Sequence, residues 1–497
     1  MSRNYAGLLG LMLSLVVAPA VHAESLPTDQ TFALGRALYH GQASISGAVR
    51  VGNVTLPASS GACANCHGSS GQGSREGGVT VPGIAWAYLS QPQRGQPGYR
   101  SPRAVLDAIE KGQGRGGEPL NPPMPTIELS TAEADALIAY LQIIGTEREP
   151  VQGVSNDRIL VGSILPLTPP GSYAERIRAG LEERFGAINR DGGIFGRRIE
   201  LVIEDSGRQG RNASQALERL AKQHRVFALV GSVLPEPSAT VVGTIRQHGL
   251  PVVATLGVPI QDSPDDKLTY LLPSVVDQIK QLLAEVKTRC KAGKDIVVLH
   301  ESRQGLADGV QTALANESFI VSVQESRIDH LPGMGTLWGR SPAPNWVVLG
   351  SSDFVGQVRG RAISTSTDSI PCLATLAMLS GMPALERHGQ SRGGSATRPM
   401  EVIGLPMPAT AVLLEQKFQG DALWTYLADV SARIFAESLS RSSRILNYDS
   451  FDRSLQSLHG FEPHDGLPIR FSRQHRHGLS VAHMWGRTQH AYKKQNY

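Results

Sequence analysis

Residues 63–67 read Cys63-Ala64-Asn65-Cys66-His67, a C-x-x-C-H stretch in which two thiols are followed directly by an imidazole. This spacing is typical of covalent haem attachment, in which each cysteine sulfur adds to one vinyl group of the porphyrin. The next residue then lies under the iron and supplies a nitrogen ligand. A thioredoxin-like redox pair needs a βαβ context, and a zinc site needs a second ligand pair nearby. The surrounding sequence offers neither, so we predict one covalent haem c on Cys63 and Cys66, with His67 as an iron ligand.

The first 23 residues have the pattern of a secretory signal peptide. Arg3 supplies a basic start, Leu8 to Val17 form an apolar run, and Val21-His22-Ala23 resembles a cleavage site. This run is too short to span a bilayer comfortably, which favours a cleaved signal over an uncleaved anchor. We therefore predict an exported, periplasmic bacterial protein that does not span the membrane after signal removal.

The composition is that of a multidomain globular protein, because 497 residues suffice for two or three domains. The formal net charge of +4 is not gathered into a basic patch, so no nucleic-acid partner is expected. Cys290 and Cys372 are the two cysteines outside the C-x-x-C-H stretch, in a compartment that permits disulfides. Both a Cys290–Cys372 disulfide and two separate buried thiols fit the sequence.

Residues 24–147 are predicted to form a helical domain. Apolar residues at helical spacing indicate helices over 32–39, over 103–111 and from Ser130 onward. Ser130 and Glu133 have the spacing of a capping box. Residues 42–60 are rich in Gly and Ser and are predicted to be a loop or hairpin inserted before the C-x-x-C-H stretch, and a glycine-dense loop follows it.

A second iron ligand is predicted at Met124, within the run Asn121-Pro122-Pro123-Met124-Pro125. After signal removal Met124 is the only methionine before residue 334, and its prolines stiffen the loop that carries the thioether. His40, at the end of the first helix, is the alternative ligand and would give a bis-histidine haem. A third reading makes Met124 a loop residue that packs on the core.

The order helix, C-x-x-C-H, helix, Met loop, helix resembles a class I c-type cytochrome over residues 24–147, with the insertion at 42–60 as a departure. In that family the sixth iron ligand is a methionine from a proline-rich loop before the last helix, the position of Met124. Two protein ligands leave the iron no site for peroxide, oxygen or substrate, and a His/Met pair raises the reduction potential. The resemblance implies one-electron transfer to redox partner proteins rather than haem catalysis.

Residues 148–157 lack periodicity and are predicted to be a linker. From residue 158 onward strands alternate with helices, which predicts parallel sheets covered by helices. The alternation runs from 159 to 255 and recurs from 275 to 376, so we expect two α/β lobes within 158–497. The histidines of the tail indicate either a metal site or a solvated, strand-forming tail, and their irregular spacing favours the tail: His459, His464, His475, His477, His483 and His490.

Several segments carry a second resemblance: Gly162 to Leu167, Ile188 to Ile194, Leu229 to Ser232, Leu250 to Thr255, Gly466 to Phe471 and Gly478 to Trp485. Together and in order they resemble the type I periplasmic binding proteins, the branched-chain amino-acid-binding group in particular. The resemblance implies a ligand between the lobes, with Ser232, Ala254 and Thr255 at the positions that hold its carboxylate. Strand carboxyl ends are where open α/β sheets bind ligands, although ordinary strand-end residues fit the same pattern.

The second lobe departs from that family. Ser302-Arg303-Gln304-Gly305 stands where the family has an aromatic residue, and Leu373 to Met378 holds no acid for an amino group. An α-amino cation would be buried there without a partner, which is costly. We therefore expect a small neutral or anionic organic ligand, or none.

The predicted architecture is an all-α cytochrome c domain followed by a two-lobed α/β periplasmic-binding-protein domain. The predicted function is one-electron transfer by an exported mono-haem cytochrome, not an enzyme, whose fused module docks a partner or senses a small molecule. The alternative is a solute-binding protein of an ABC-type uptake or sensing system, with the haem domain as a redox reporter.

Overall fold

The structure is a computed structural model, and the chain divides into two compact units, Met1–Ile144 and Gly145–Tyr497. The predicted signal peptide lies outside the described residues. The structure describes residues 29–487 apart from 77–78, 94, 121–122, 147, 169, 171–172, 235–238, 262–266, 291–295, 303–304, 316–319, 328–343, 366–371, 377–400, 406–420, 465–467, 473–474 and 480–482.

The first unit combines helices with short antiparallel strands. Its elements are α1 (Asp29–Tyr39), β1 (Val49–Val51), β2 (Val54–Leu56), α2 (Ala64–His67), β3 (Ser74–Glu76), β4 (Val79–Val81), α3 (Trp86–Leu89), α4 (Pro102–Lys111), β5 (Thr126–Ile127) and α5 (Thr131–Leu141).

The helices begin and end where local signals place them. The hydroxyl of Ser101 accepts a hydrogen bond from the amide of Ala104 at 3.2 Å, and Gly112 ends α4 in the left-handed region. Ser130 and Glu133 form the predicted capping box at the start of α5. The helical prediction for this unit is therefore confirmed.

The core of the first unit lies where α1 crosses α5. Gly35 of α1 packs directly on the backbone of Ala136, so a larger side chain has no room there. The rings of Phe32 and Tyr39 pack edge-on against Tyr140, at centroid distances of 5.4 and 5.3 Å. Aromatic edge contacts of this kind stabilise a core beyond the area that they bury.

Two small sheets supplement the helices. The inserted segment at 42–60 forms the β1–β2 hairpin, and β1 also pairs with β5, giving the order β2-β1-β5. Strands β3 and β4 form a second hairpin directly after the C-x-x-C-H stretch. The prediction of an all-α domain was therefore incomplete, because this unit also contains five short strands.

The second unit alternates strands and helices. Its first part comprises β6 (Arg158–Leu165), α6 (Tyr173–Arg190), β7 (Arg198–Asp205), α7 (Ala213–Glu218, extended by a π-helical turn at Arg219–Gln223), β8 (Ala228–Val230), α8 (Ala239–His248), β9 (Val252–Thr255) and β10 (Leu268–Tyr270). Its second part comprises α9 (Val275–Arg289), β11 (Ile296–Glu301), α10 (Leu306–Leu314), β12 (Ile320–Ser326), β13 (Asn345–Leu349), α11 (Ser352–Thr365), β14 (Leu373–Leu376), β15 (Glu401–Leu405), α12 (Asp421–Arg441), α13 (Tyr448–Gln456) and β16 (His483–Arg487).

These strands form two sheets, one in each lobe. The first has the order β10-β9-β8-β6-β7 and is parallel throughout. The second has the order β12-β11-β13-β14-β15-β16, in which β16 alone runs antiparallel, against β15. The prediction of a two-lobed α/β fold after a helical domain is thus confirmed.

The chain returns to the first lobe after completing most of the second. Buried residues of α12, including Leu427 and Phe435, share one core with Leu181 and Phe185 of α6. Residues 148–157 also contact this lobe, because the side-chain amide of Gln152 donates to the carbonyls of Ala221 and Val226 at 3.2 and 3.0 Å. None of the helices in the described parts of the chain is both long enough and apolar enough to cross a membrane.

Candidate functional site

The C-x-x-C-H stretch forms a single helical turn. The amide of His67 donates to the carbonyl of Cys63 at 2.9 Å, and residues three and four apart in a helix share one side. Both cysteines are unbonded; Cys66 is exposed, whereas Cys63 is half-buried. Burial raises the pKa of the Cys63 thiol to about 12, so the unattached thiol is protonated at neutral pH.

The orientation of the His67 imidazole is fixed by its backbone neighbour. Nδ1 lies 2.8 Å from the carbonyl oxygen of Pro82. Because a carbonyl only accepts, Nδ1 carries the proton and Nε2 holds a lone pair. His67 is 6% exposed, and burial lowers its pKa, although the bond to Pro82 acts in the opposite direction. The imidazole is therefore neutral and presents the nitrogen that an iron ligand needs.

Glycines allow the chain after His67 to fold back to Pro82. The amides of Ile84 and Ala85 both donate to the carbonyl of Gly71, at 2.8 and 3.0 Å. Gly73 has a φ of 85°, and a Cβ on it would lie 2.5 Å from the carbonyl oxygen of Val81. The sequence predicts this glycine-dense loop but not the β3–β4 hairpin that delivers Pro82. The alternation Val79-Thr80-Val81 is the signal that could have revealed it.

Met124 is half-buried in the loop between α4 and α5. The loop is anchored before Met124 by the amide of Leu120, which donates to Gly112 at 2.7 Å, and after it by β5. Residues 121–122 of the predicted proline-rich run lie outside the described residues.

His40, the alternative ligand, is used within the helix packing. Its Nε2 lies 3.0 Å from the hydroxyl of Tyr140, and its ring packs edge-on against Tyr39 at a centroid distance of 5.1 Å. To bind iron, this nitrogen would have to give up its contact with Tyr140.

The predicted ligand residues of the first lobe meet at the carboxyl edge of its sheet. Ser232, Ala254 and Thr255 are fully buried. The Thr255 hydroxyl donates to the carbonyl of Ser232, and the Ser232 hydroxyl accepts from the amide of Ile164 at 3.0 Å. The carbonyl of Ala254 accepts from the hydroxyl of Ser431 at 2.8 Å. These groups therefore join the ends of β6, β8 and β9 to each other and to α12.

An acid that was not predicted from the sequence lies at the carboxyl edge of the second lobe's sheet. Glu301 ends β11, and its carboxylate accepts from the amide and the hydroxyl of Ser351, at 2.7 and 3.0 Å. The Ser351 hydroxyl in turn accepts from the amide of Phe354 at 3.4 Å, so Glu301 holds the residue that caps the start of α11. Ser302 beside it is exposed, whereas residues 303–304 and 377–378 lie outside the described part.

Cys290 and Cys372 are joined by a disulfide in the structure. Their Cα atoms are 5.8 Å apart, and both residues are buried. The bond ties the end of α9 to the residue before β14, so it lies within the core of the second lobe.

The histidines of the tail are dispersed. Nε2 of His464 donates to the carboxylate of Asp429 at 2.8 Å, and that carboxylate also accepts from Arg184 and Arg433 at 2.5 and 2.7 Å. His477 is buried beside Tyr270, and His459 is exposed. Across the described ranges no group of three or more His, Cys, Asp or Glu residues is arranged to hold a metal ion. His490 lies outside those ranges.

Comparison with known proteins agrees with the division of the chain into two units. Residues 58–144 match the family model described as cytochrome c, and residues 158–316 match the model described as periplasmic binding protein. The chain therefore combines a cytochrome c domain with a periplasmic-binding-protein fold. A cytochrome c domain implies covalently bound haem c, and the residues described above fit that group, because the two thiols are unbonded and the tautomer of His67 leaves a lone pair on Nε2.

Solved structures resemble the periplasmic-binding-protein fold. A possible leucine/isoleucine/valine-binding protein from Rhodopirellula baltica SH 1 has a TM-score of 0.51 and 16% identity, covering 68% of this chain and 95% of its own. A periplasmic binding protein type 1 from Bordetella pertussis Tohama I has a TM-score of 0.52 and 17% identity, covering 67% and 97%. The branched-chain amino acid transporter substrate binding protein LivJ from Streptococcus pneumoniae, in complex with isoleucine, has a TM-score of 0.50 and 17% identity, covering 67% and 97%. No curated protein matches the chain.

Proposed function

We propose that this chain is an exported, periplasmic electron carrier with a single haem. The haem is bound by Cys63 and Cys66, and its iron lies between His67 and Met124. The hydrogen bond from Nδ1 of His67 to Pro82 is the observation that carries the proposal, because it leaves Nε2 as a ligand of fixed direction.

Electron transfer is favoured over haem catalysis because a second protein ligand closes the iron. Met124 has a soft thioether in a loop anchored on both sides, whereas the competing nitrogen of His40 contacts Tyr140. A haem with two protein ligands exchanges electrons through its edge, and the edge bonded to Cys66 would be accessible because Cys66 is exposed. The partners are then redox proteins that dock on this face.

The test is the stoichiometry of haem and electrons. The mature full-length protein is produced in a bacterium that attaches haem to C-x-x-C-H sequences, and its intact mass and reductive titration are measured. One haem per chain and a one-electron transition support the proposal. A chain without haem, or catalytic turnover of peroxide by the unmodified protein, contradicts it.

The second unit is proposed to sense a small molecule or to dock a partner. One observation favours a neutral or anionic ligand over an amino acid: the Glu301 carboxylate, at the carboxyl edge of the second sheet, already accepts two hydrogen bonds from Ser351, and an α-amino cation would need such an acid as a partner. The alternative is a solute-binding protein of an ABC-type system with a redox-reporting haem, which the presence of a sheet in each of two lobes favours.

A thermal-shift series on the full-length protein tests the proposed class of ligand. Small organic acids, alcohols and amides are compared with branched-chain amino acids. Stabilisation by a specific ligand grows as RT ln(1 + [L]/Kd). A shift with amino acids alone contradicts the ligand class proposed here, whereas a shift with an organic acid or amide supports it.

A further inference from the structure

The insertion before the C-x-x-C-H stretch contacts the segment that follows Met124. Strand β1 pairs with β5 as well as with β2, in the register Val49 to Ile127 and Arg50 to Thr126. The amide of Glu128 adds a hydrogen bond to the carbonyl of Ala48 at 2.9 Å. Only Pro125 separates Met124 from the first residue of β5.

The contact includes an apolar core and an ion pair. Val49 and Ile127 are buried in the core of the first unit, together with Ile45. On the outer side Arg50 forms an ion pair with Glu128, but both side chains are well exposed, so this pair contributes little. The backbone pairing and the buried side chains therefore provide most of the attachment.

Glu133 provides a second attachment, from the insertion to the start of α5. Its carboxylate accepts hydrogen bonds from the amide and hydroxyl of Ser46, at 2.8 and 2.6 Å. It also accepts from the amide and hydroxyl of Ser130, at 2.8 and 2.7 Å. Burial acts to raise the pKa of Glu133, but these four donors outweigh it and hold the pKa at about 2. The carboxylate is thus ionised and fully hydrogen-bonded at neutral pH.

We propose that residues 46–50, together with Glu133, are a clamp that positions Met124 as an iron ligand. The inference rests on the proposed Met124 ligation and adds its structural support. A thioether is a weak neutral ligand, so the occupancy of its bond depends on how much freedom the loop has when the bond is broken. The clamp reduces that freedom by holding β5 and the start of α5 in place. The residues of the clamp are positioning residues and do not touch the iron.

The experiment measures how readily imidazole displaces the thioether from ferric iron in the full-length haem protein. The variants are Glu133→Gln and Ser46→Ala. The matched control is Glu110→Gln, an acid on α4 that pairs with Arg103 outside the clamp. The readouts are the far-red absorbance band of methionine-bound ferric haem, the apparent affinity for imidazole and the reduction potential.

Loss of a hydrogen-bonded charge should raise the imidazole affinity about tenfold for Glu133→Gln, and several-fold for Ser46→Ala, with the control within about twofold of wild type. Far-ultraviolet circular dichroism identifies any variant that fails to fold, and Ser46→Ala, which keeps the carboxylate, then decides the question. If the wild type shows the band but neither variant differs from the control, the clamp is wrong and Met124 ligation stands. If the wild type lacks the band, Met124 ligation itself is wrong.

Discussion

Nδ1 of His67 donates a hydrogen bond of 2.8 Å to the carbonyl oxygen of Pro82, fifteen residues further along the chain. The β3–β4 hairpin between them makes this contact possible, and Gly71 and Gly73 allow the hairpin to fold back. The contact fixes both the tautomer and the direction of the ring, and it increases the basicity of Nε2. With His67 as the proposed iron ligand, the electronic properties of the haem would therefore depend on the segment that carries Pro82.

Gly73→Ala should raise the reduction potential and destabilise the cytochrome c domain. A methyl group at Gly73 would approach the carbonyl oxygen of Val81 to 2.5 Å and displace the strand that precedes Pro82. A weaker Nδ1 hydrogen bond makes Nε2 less basic, which disfavours the ferric state. The measurements are spectroelectrochemical titration and thermal unfolding.

Gly117→Ala is the matched control for this change. Its φ of 87° equals that of Gly73 within a few degrees, but no atom lies within 4 Å of the added carbon. Both variants should lose about 1–2 kcal/mol through left-handed backbone strain, and only Gly73→Ala should shift the potential. Equal reduction potentials in the two variants would show that the His67–Pro82 hydrogen bond does not tune the haem.

Acid should unfold the first unit partly through Glu133. Its pKa in the folded protein is about 2, against an ordinary value of 4.5. Because the folded value is depressed, the ionised group stabilises the fold above about pH 5, and this stabilisation is lost as the pH falls from there toward 2. Glu133→Gln should cost about 1–3 kcal/mol at pH 7 and make stability less dependent on pH in this window. Urea unfolding at a series of pH values tests this; parallel pH dependences for variant and wild type would refute it.

The disulfide should contribute strongly to the stability of the second lobe. Cys290 and Cys372 are 82 residues apart, and a cross-link over such a loop is expected to stabilise by about 4 kcal/mol through the unfolded state. The double variant Cys290→Ala/Cys372→Ala, or reduction of the wild type, should lower the urea midpoint of this unit. The haem spectrum is the internal control and should not change. A midpoint that is insensitive to both treatments would show that the bond does not form.

Local patterns in the sequence predicted much of the fold. Helices α4 and α5 are set by apolar spacing and by caps within a few residues, such as Ser130 with Glu133. The parallel strands are set by buried apolar runs. Helix α12 was not predicted, although its apolar residues form part of the first core. Its place in that core depends on the chain returning to the first lobe, which is a non-local event.

The candidate site also contains residues that local sequence predicts and contacts that depend on distant parts of the chain. Cys63, Cys66 and His67 are recognisable because their spacing is local, but Pro82 as the partner of His67 depends on a hairpin. Ser232 and Thr255 were correctly placed at strand ends by the alternation of the sequence. Their hydroxyls hydrogen-bond to the ends of neighbouring strands. This could not be predicted, because it depends on the order of the strands in the sheet.

The ligation of the iron by Met124 is the most direct test of the whole account. The measurement is the ferric absorbance spectrum of the full-length protein at neutral pH, compared with those of Met124→Ala and of His40→Gln. We predict a low-spin spectrum with the methionine band in the wild type and in His40→Gln, and an open, high-spin iron in Met124→Ala. A low-spin spectrum that survives in Met124→Ala but is lost in His40→Gln would contradict the account, because the second ligand would then be His40.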